Sequence, residues 1–327
     1  MKLNTTNNVK QYLIEGGLVK KIDKPVLENL GGGVSSSVWL CVLNNNTWVI
    51  KQALDKLKVE DDWFSDVERI HREHEVMDAL SVVLPTDVIP NILHVDYIDH
   101  IYIMEYVKEA QTWKDILMKG IFSVTVAENV AQFLLNIHVN SARIDDCEKA
   151  KFQDQKYFIQ LRVDPFHRFL MQKYPELSSS IQKLIDEVTC QNTCLVHGDF
   201  SPKNILVKKD NSVVLIDFEV AHWGNPVFDL AYCLGHLMLK GWYLNKPEQI
   251  LKLVKAFLAV YKNELNNLIP HLGLMLLARI DGKSRVSYIV EEDMKNVIRK
   301  VAIDWIENKN LVPDTLQNIR NAFQIDF

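Results

Sequence analysis

The sequence has no apolar run near the ~18 residues that mark a membrane-spanning helix. Its most apolar stretch, LGLMLLA at 272–278, is stopped by Arg279 and Asp281. The opening residues, MKLNTTNNVKQYLIEGG, are polar and have no apolar core of a secretion signal, so a cytoplasmic protein with no membrane partner is expected. There is no excess of positive charge. Lys and Arg number 37 against 42 Asp and Glu, a net charge of −5, which supplies no basic field for nucleic acid. Cysteine is sparse and scattered: Cys41, Cys147, Cys190, Cys194 and Cys233. Reduced thiols are the expected state. Cys190, Cys194 and His197 fall close together, but without a CxxC pair or a second ligand pair a zinc site is disfavoured. Internal repeats and low-complexity linkers are also missing.

What is present is an ordinary globular composition, 48% hydrophobic and 24% charged over 327 residues, which allows a large core and predicts two lobes or one large domain. From residue 26 the texture is β-like. VLENLGGGVSSSVWLCVLNNNTWVIKQAL reads as strand, Gly turn, strand, Asn-rich hairpin, strand. Helical spacing follows in DDWFSDVERIHREHEVMDALSVV, where Trp63, Val67, Ile70, His74, Met77 and Leu80 share a face. Pro85 and Pro90 then precede two short strands in ILHVDYIDHIYIMEYV. Beyond residue 107 the pattern is mostly helical. VTVAENVAQFLLNIHVN is a long amphipathic helix, 151–190 reads as two helices with Asp164-Pro165 as a start, and everything past 226 is helix again. The expectation is an α+β protein with a β-rich lobe over 1–107 and a helical lobe over 108–327.

One β-rich pair interrupts the helical half. LVHGDFSPKNILV covers 195–207, and VVLIDFE covers 213–219. The polar loop between them predicts a hairpin, which brings Asp199 and Asp217 to neighbouring points of a cleft, with Asn204 at the start of the first hairpin strand. Oxygen ligands of this kind suit Mg²⁺ held beside substrate phosphates. A remaining carboxylate can accept a proton from an attacking hydroxyl.

HGDFSPKNILV, with Asn204 five residues after Asp199, followed by IDFE and GNPVFDLA, resembles the aminoglycoside phosphotransferase and choline kinase superfamily, the small-molecule branch of the protein-kinase-like fold. The resemblance implies a bilobal fold, ATP (with GTP as the alternative) and Mg²⁺. It implies Asp199 as the catalytic group and Asn204 and Asp217 as metal ligands. In the N-terminal half, Gly31, Gly32 and Gly33 can let backbone approach phosphates, and Ser35 and Ser36 can add donors. TWVIKQA resembles the strand bearing the phosphate lysine, here Lys51, and the RE-x-x-x-x-x-x-L helix pattern selects Glu73 as its partner, with Glu75 in reserve. IYIMEYV resembles the strand entering the hinge, so Glu105, Tyr106 and Val107 are expected at the adenine through their backbone. His197 and Asp229 are expected to brace the catalytic loop, and Lys203 to neutralise charge near the transferred phosphate.

Only EVAHWGNPVF separates IDF from Asp229. There is no APE motif and no HRD arginine, which disfavours a protein substrate. The acceptor stays open among aminoglycosides, amino alcohols and sugar-like metabolites, and VIKQAL also resembles the corresponding run of methylthioribose kinases. Asp164, Trp223, Trp242, Tyr243, Arg279, Asp281, Lys283 and Arg285 are candidates for its pocket. In LARIDGKSRVSYI the cations either complete a helix dipole or wall a site for an anionic or hydroxyl-rich acceptor. The rival functions are a non-catalytic nucleotide-binding scaffold on the same fold and, less favoured, a protein kinase.

Overall fold

A computed structural model describes residues 1–31, 33, 35–58, 63–85, 87–262 and 266–324. α1 (Thr6–Glu15) starts where the Thr5 hydroxyl accepts the Asn8 N–H at 3.2 Å, an N-cap that satisfies one orphan donor. β1 (Val26–Asn29), β2 (Ser36–Leu43), β3 (Asn46–Ala53), α2 (Arg69–Leu80), β4 (Ile92–Asp96) and β5 (Ile101–Glu105) follow. The five strands form one antiparallel sheet in the order β1-β2-β3-β5-β4.

Strand alternation gives this sheet two different faces. Ile50, Ile101 and Ile103 pack under α1 with Leu3, Val9 and Leu13. Val49, Tyr102 and Met104 face the other way, into the main core with Ile70, Val76 and Leu80 of α2. Lys51 has the parity of Val49, pairs across the sheet with Val38 and Tyr102, and so turns away from α1.

The remaining elements are β6 (Ala110–Thr112), α3 (Trp113–Met118), α4 (Val124–Asn140), α5 (Asp146–Phe152), α6 (Lys156–Phe158), a π-helical stretch (Ile159–Arg168), α7 (Phe169–Lys173), α8 (Ser178–Cys190), β7 (Cys194–Val196), β8 (Ile205–Lys208), β9 (Val213–Leu215), β10 (His222–Gly224), α9 (Val227–Tyr243), α10 (Pro247–Tyr261), α11 (Leu268–Asp281), α12 (Glu292–Ile306) and α13 (Thr315–Phe323). α4 buries Val126, Val130, Leu134 and Ile137 along the expected stripe, with Phe133 half-buried beside it. β8 pairs with β9 as the hairpin pattern predicts, β6 adds to β8, and β7 pairs with β10. Among the described residues no helix is long and apolar enough to cross a membrane.

Three local expectations are corrected. The helix bearing Glu73 begins at Arg69, not before Trp63. The Arg69 guanidinium takes the Ser65 and Asp66 carbonyls at 3.1 and 2.8 Å, the acceptors an earlier helix would need for its own N–H groups. Trp63 is buried all the same, donating its indole N–H to the Gln160 carbonyl at 3.0 Å. Pro165 lies inside a helical run rather than at its start. The wider π turn tolerates a residue without an N–H. β9 ends at Leu215, and Asp217 follows it with φ of 72°, in the left-handed region.

Candidate active site

The loop between β7 and β8 turns at Gly198, whose φ is 74°; a Cβ there would stand 2.7 Å from the Val220 carbonyl oxygen, so only glycine fits. Asp229, buried in the first turn of α9, holds this turn from behind. Its carboxylate accepts the N–H of His197 at 2.7 Å and of Gly198 at 2.8 Å, and lies 3.2 Å from His138 Nε2. Burial alone would raise the Asp229 carboxyl, but the His138 hydrogen bond and the His197 contacts bring it below its usual range. The His197 ring accepts the Asp199 N–H on Nδ1 at 3.2 Å, and its Nε2 lies 3.2 Å from the Ile216 carbonyl. Burial lowers its pKa and keeps it neutral, so Nε2–H is the donor to Ile216. One imidazole therefore fastens the Asp199 turn to the residue before Asp217.

Asp199 is buried. Its Oδ2 takes Asn204 Nδ2 at 2.8 Å, Lys203 Nζ at 2.9 Å and Arg162 Nη2 at 3.0 Å. Its Oδ1 is buried without a hydrogen-bond partner. Burial pushes the carboxyl up, but Arg162 and Lys203 outweigh it and hold Asp199 well below the usual carboxylate range. Arg162, on the π-helical stretch, also donates to the Gly198 carbonyl at 3.0 Å. Sequence reasoning missed it. With no HRD arginine beside Asp199, nothing in one dimension points to an arginine 37 residues upstream.

Across the cleft, Lys51 Nζ lies 2.6 Å from Glu73 Oε2 and 2.5 Å from Asp217 Oδ1. Burial would lower the Lys51 ammonium, but Asp217 and Glu73 raise it well above its ordinary value, so it stays charged. Glu75 does not share this contact. A second unforeseen arginine supports the arrangement. Arg69, fully buried, pairs with Glu219 at 3.1 Å and donates to the carbonyls of Ser35 at 2.5 Å and Leu54 at 2.8 Å. The charged run VERIHREHE does not single it out; the fold shows it tying Ser35, beside the Gly turn, to the residue after Asp217-Phe218.

These groups share a cavity of about 400 Å³ lined by Gly31, Gly33, Ser35, Ser36, Lys51, Glu73, Met104, Asn204 and Asp217. Gly31 has φ of 60° with open space around it, which suits backbone approach to a ligand. Gly32 lies outside the described residues. Glu105, Tyr106 and Val107 do not line the cavity; Met104 does. The N–H groups of Glu105 and Tyr106 are already donated to Asn91 and Thr47 carbonyls at 3.0 and 3.4 Å. Among the described residues no acceptor takes the Val107 N–H. The donor set fits a hard cation. Asn204 commits Nδ2 to the Asp199 carbonyl at 2.9 Å and carboxylate at 2.8 Å, which leaves its amide oxygen for another partner. With the Asp217 carboxylate, that makes two oxygens of the type Mg²⁺ takes beside phosphates and water.

The candidate acceptor residues do not meet at one place; Asp164 and Lys283 line one cavity of about 390 Å³, away from the Asp199–Asp217 cleft. Asp281 is buried with Lys173, Tyr174 and Arg299, each at 2.7 Å, as a structural knot. Asp164 pairs with Arg168 at 2.6 Å. Trp242 packs on Phe323, Tyr243 on Tyr288, and Trp223 under Lys149, so the three rings do not form a cage. Lys283 Nζ sits over Phe169. Arg279 and Arg285, by contrast, line a small cavity with Lys203. Cys190 is exposed at the end of α8 while Cys194 is buried in β7, and the His197 ring is spent on the loop.

The chain is similar to several known proteins. A 4-hydroxytryptamine kinase of Psilocybe cyanescens is 24% identical over 243 residues, covering 65% of this chain and 67% of that protein. A methylthioribose kinase of Cronobacter sakazakii is 24% identical over 231 residues, covering 62% of this chain and 56% of that protein, so the chain matches little more than half of that relative's length. The crystal structure of a spectinomycin phosphotransferase with ADP and spectinomycin superposes with a TM-score of 0.53 at 12% identity, covering 99% of this chain and 100% of that one. That likeness shows the protein-kinase-like fold. The family model described as the phosphotransferase enzyme family matches residues 26–264, which span the Gly turn, Lys51, Glu73, Asp199, Asn204 and Asp217 alike; the chain belongs to the phosphotransferase enzyme family.

Proposed function

We propose that this chain transfers the γ-phosphate of ATP, or of GTP, to a hydroxyl of a small molecule. The observation that carries the reading is the meeting at the Asp199–Asp217 cleft. A cation from the sheet, Lys51, stands 2.5 Å from Asp217, and the neighbouring Asp199 keeps one buried oxygen without a partner. In this reading Lys51, steered by Glu73, grips the nucleotide phosphates, and the Gly31–Gly33 turn with Ser35 and Ser36 covers them. The base lies along Met104, with the Val107 N–H as the free hinge donor. Residues 1–107 carry the nucleotide and 108–327 the acceptor. The five cysteines are unpaired, which supports a reducing, cytoplasmic setting.

Asn204 and Asp217 would hold Mg²⁺, which neutralises charge on the phosphates when bound. Asp199 is too firmly ionised to be a strong base. Its unpartnered Oδ1 accepts the acceptor's hydroxyl hydrogen bond, aligns the oxygen for attack, and receives the proton late, a positioning role suited to loose phosphoryl-transfer transition states.

A scaffold would gain nothing from a buried carboxylate oxygen left unpaired, which costs about 1–3 kcal/mol. A protein kinase needs a platform for peptide after the metal-binding Asp. Here that segment is folded into β10 against β7, with His222 and Gly224 buried. Relatives named for 4-hydroxytryptamine, methylthioribose and spectinomycin support a small hydroxylated acceptor. The test is ADP release with Mg²⁺ and nucleotide across hydroxylated metabolites, amino alcohols and aminoglycosides, for the wild type and Asp199→Asn. The proposal expects acceptor-dependent release that the variant loses. Equal turnover in both would refute it.

A further inference from the structure

Beside the phosphate end of the nucleotide cavity lies a second cavity, of about 120 Å³. Lys114 and Lys203 line both. The other charged or titratable lining groups are His236 and Lys240 of α9, Arg279 in the last turn of α11, and Arg285 and Tyr288 just beyond; among the described residues no carboxylate lines it. Lys240 is 1% exposed. Its Nζ reaches the His236 carbonyl at 3.2 Å and the face of Tyr288 at 5.6 Å. Among the described residues no carboxylate lies within ion-pair distance of Lys114, Lys240, Arg279 or Arg285. Four more polar atoms on this wall are buried without a hydrogen-bond partner: Ser201 Oγ, His236 Nε2, Arg279 Nε and Tyr288 Oη.

Structural causes do not account for this. A helix C-terminus gives a cation such as Arg279 about 0.3–1 kcal/mol. The ring contacts of Lys240 with Tyr288 and Arg279 with Phe166 add about 0.5–2 kcal/mol each. Taking an ammonium out of water without a counter-charge costs several kcal/mol. Elsewhere among the described residues Lys51 is matched by Glu73 and Asp217, Arg69 by Glu219 and Arg162 by Asp199, while buried Arg72 has no carboxylate but donates to the carbonyls of Lys151, Asp154 and Ala221 at 2.9–3.1 Å. Among the described residues, Lys240 is the buried lysine that faces arginines with no carboxylate between them.

We propose that this cavity binds an oxyanion group of the acceptor itself, a phosphate or a carboxylate, through Lys240, Arg279 and Arg285, and so presents the acceptor's hydroxyl to Asp199. The inference rests on the phosphotransferase reading and narrows its acceptor to hydroxylated anions. The acceptor's hydroxyl oxygen bonds to the γ-phosphorus, the bond from that phosphorus to the β–γ bridging oxygen breaks, and ADP keeps the electron pair. The hydroxyl proton passes to Asp199 Oδ1 and then to water. Polycationic aminoglycosides and amino alcohols are repelled by the same wall.

The test fills the nucleotide site first. In saturating Mg-ADP, thermal melting is followed against inorganic phosphate, glycerate, glycerol 3-phosphate, glycerol and 3-amino-1,2-propanediol. Saturable stabilisation is expected from the anions and none from glycerol or the amine. Phosphate and glycerol 3-phosphate acting without glycerate would identify a phosphate group; the reverse would identify a carboxylate. Arg279→Gln and Lys240→Met should each weaken the anion response at least tenfold, whereas Arg279→Lys keeps most of it. No anion response in the wild type, or an equal one in the charge-removed variants, overturns the inference. If ADP itself gives no stabilisation, the nucleotide reading fails instead.

Discussion

Lys51 and Asp217 are 166 residues apart in sequence and 2.5 Å apart in the fold. One comes from the middle of β3, the other from the first residues after β9, and neither element touches the other through the sheet. The contact defines how the β-rich and helical parts close on each other, and Glu73 on α2 locks it from the side.

Removing the lysine should therefore harm stability as well as rate. Lys51→Met leaves Glu73 and Asp217 close together without their cation, and breaking a buried pair costs about 3–5 kcal/mol. Chemical denaturation should show that loss, and adding Glu73→Gln should recover part of it. A double variant as unstable as the sum of the singles would disprove the coupling.

Asp199→Asn should separate binding from chemistry. The amide cannot receive a proton, and it faces Lys203 and Arg162 without a charge. Turnover should fall by about 10³-fold or more, while calorimetric affinity for Mg-ADP stays within a few fold. Retained turnover would remove Asp199 from the chemistry.

Gly198→Ala tests the turn that carries Asp199. The added Cβ meets the Val220 carbonyl at 2.7 Å in a backbone conformation that alanine disfavours. A loss of about 2–4 kcal/mol is expected in equilibrium unfolding, with turnover falling even where the variant remains folded. An alanine variant as stable as the wild type would show that the loop relaxes freely.

Lys240 should give stability an unusual pH dependence. Burial, then Lys114 of α3 and Arg279 of α11, push its pKa down to about 7, against a small opposing pull from Cys233. The other groups facing it are His236, held neutral by burial and by Arg279, and the Tyr288 ring. The unfolded chain keeps the lysine proton up to about 10.5, while the folded chain releases it near 7. Between those values the unfolded state binds more protons, so this group makes stability rise with pH, and below pH 7 its full cost is present. Lys240→Met should flatten that rise and melt higher near pH 6, in melts recorded from pH 6 to 10 without added anions. An unchanged slope would show that Lys240 is not desolvated.

Much of the site could be read in one dimension because its spacing is local. Asn204 lies five residues after Asp199 on a single turn, and Asp217 follows one hairpin later, so the sequence held them together before any tertiary contact formed. Lys51 came from its strand's resemblance to the family, and the fold sets it on the face opposite Ile50. The helix start at Arg69 and the π turn around Pro165 were not legible, since both depend on hydrogen bonds to distant segments.

The amino-acid order alone determined the sheet-then-helix architecture and set Asp199, Asn204 and Asp217 along one hairpin, because periodicity and short spacing are properties of neighbouring residues; Lys51 was reached only through its strand's resemblance to that of the family. The tertiary structure decided which buried cations are neutralised and which are not. Arg69 and Arg162 find carboxylates 150 and 37 residues away, and among the described residues Lys240 finds none. Charge pairing across such distances is set by how elements pack, and desolvation makes the outcome costly enough to matter only once the chain has folded.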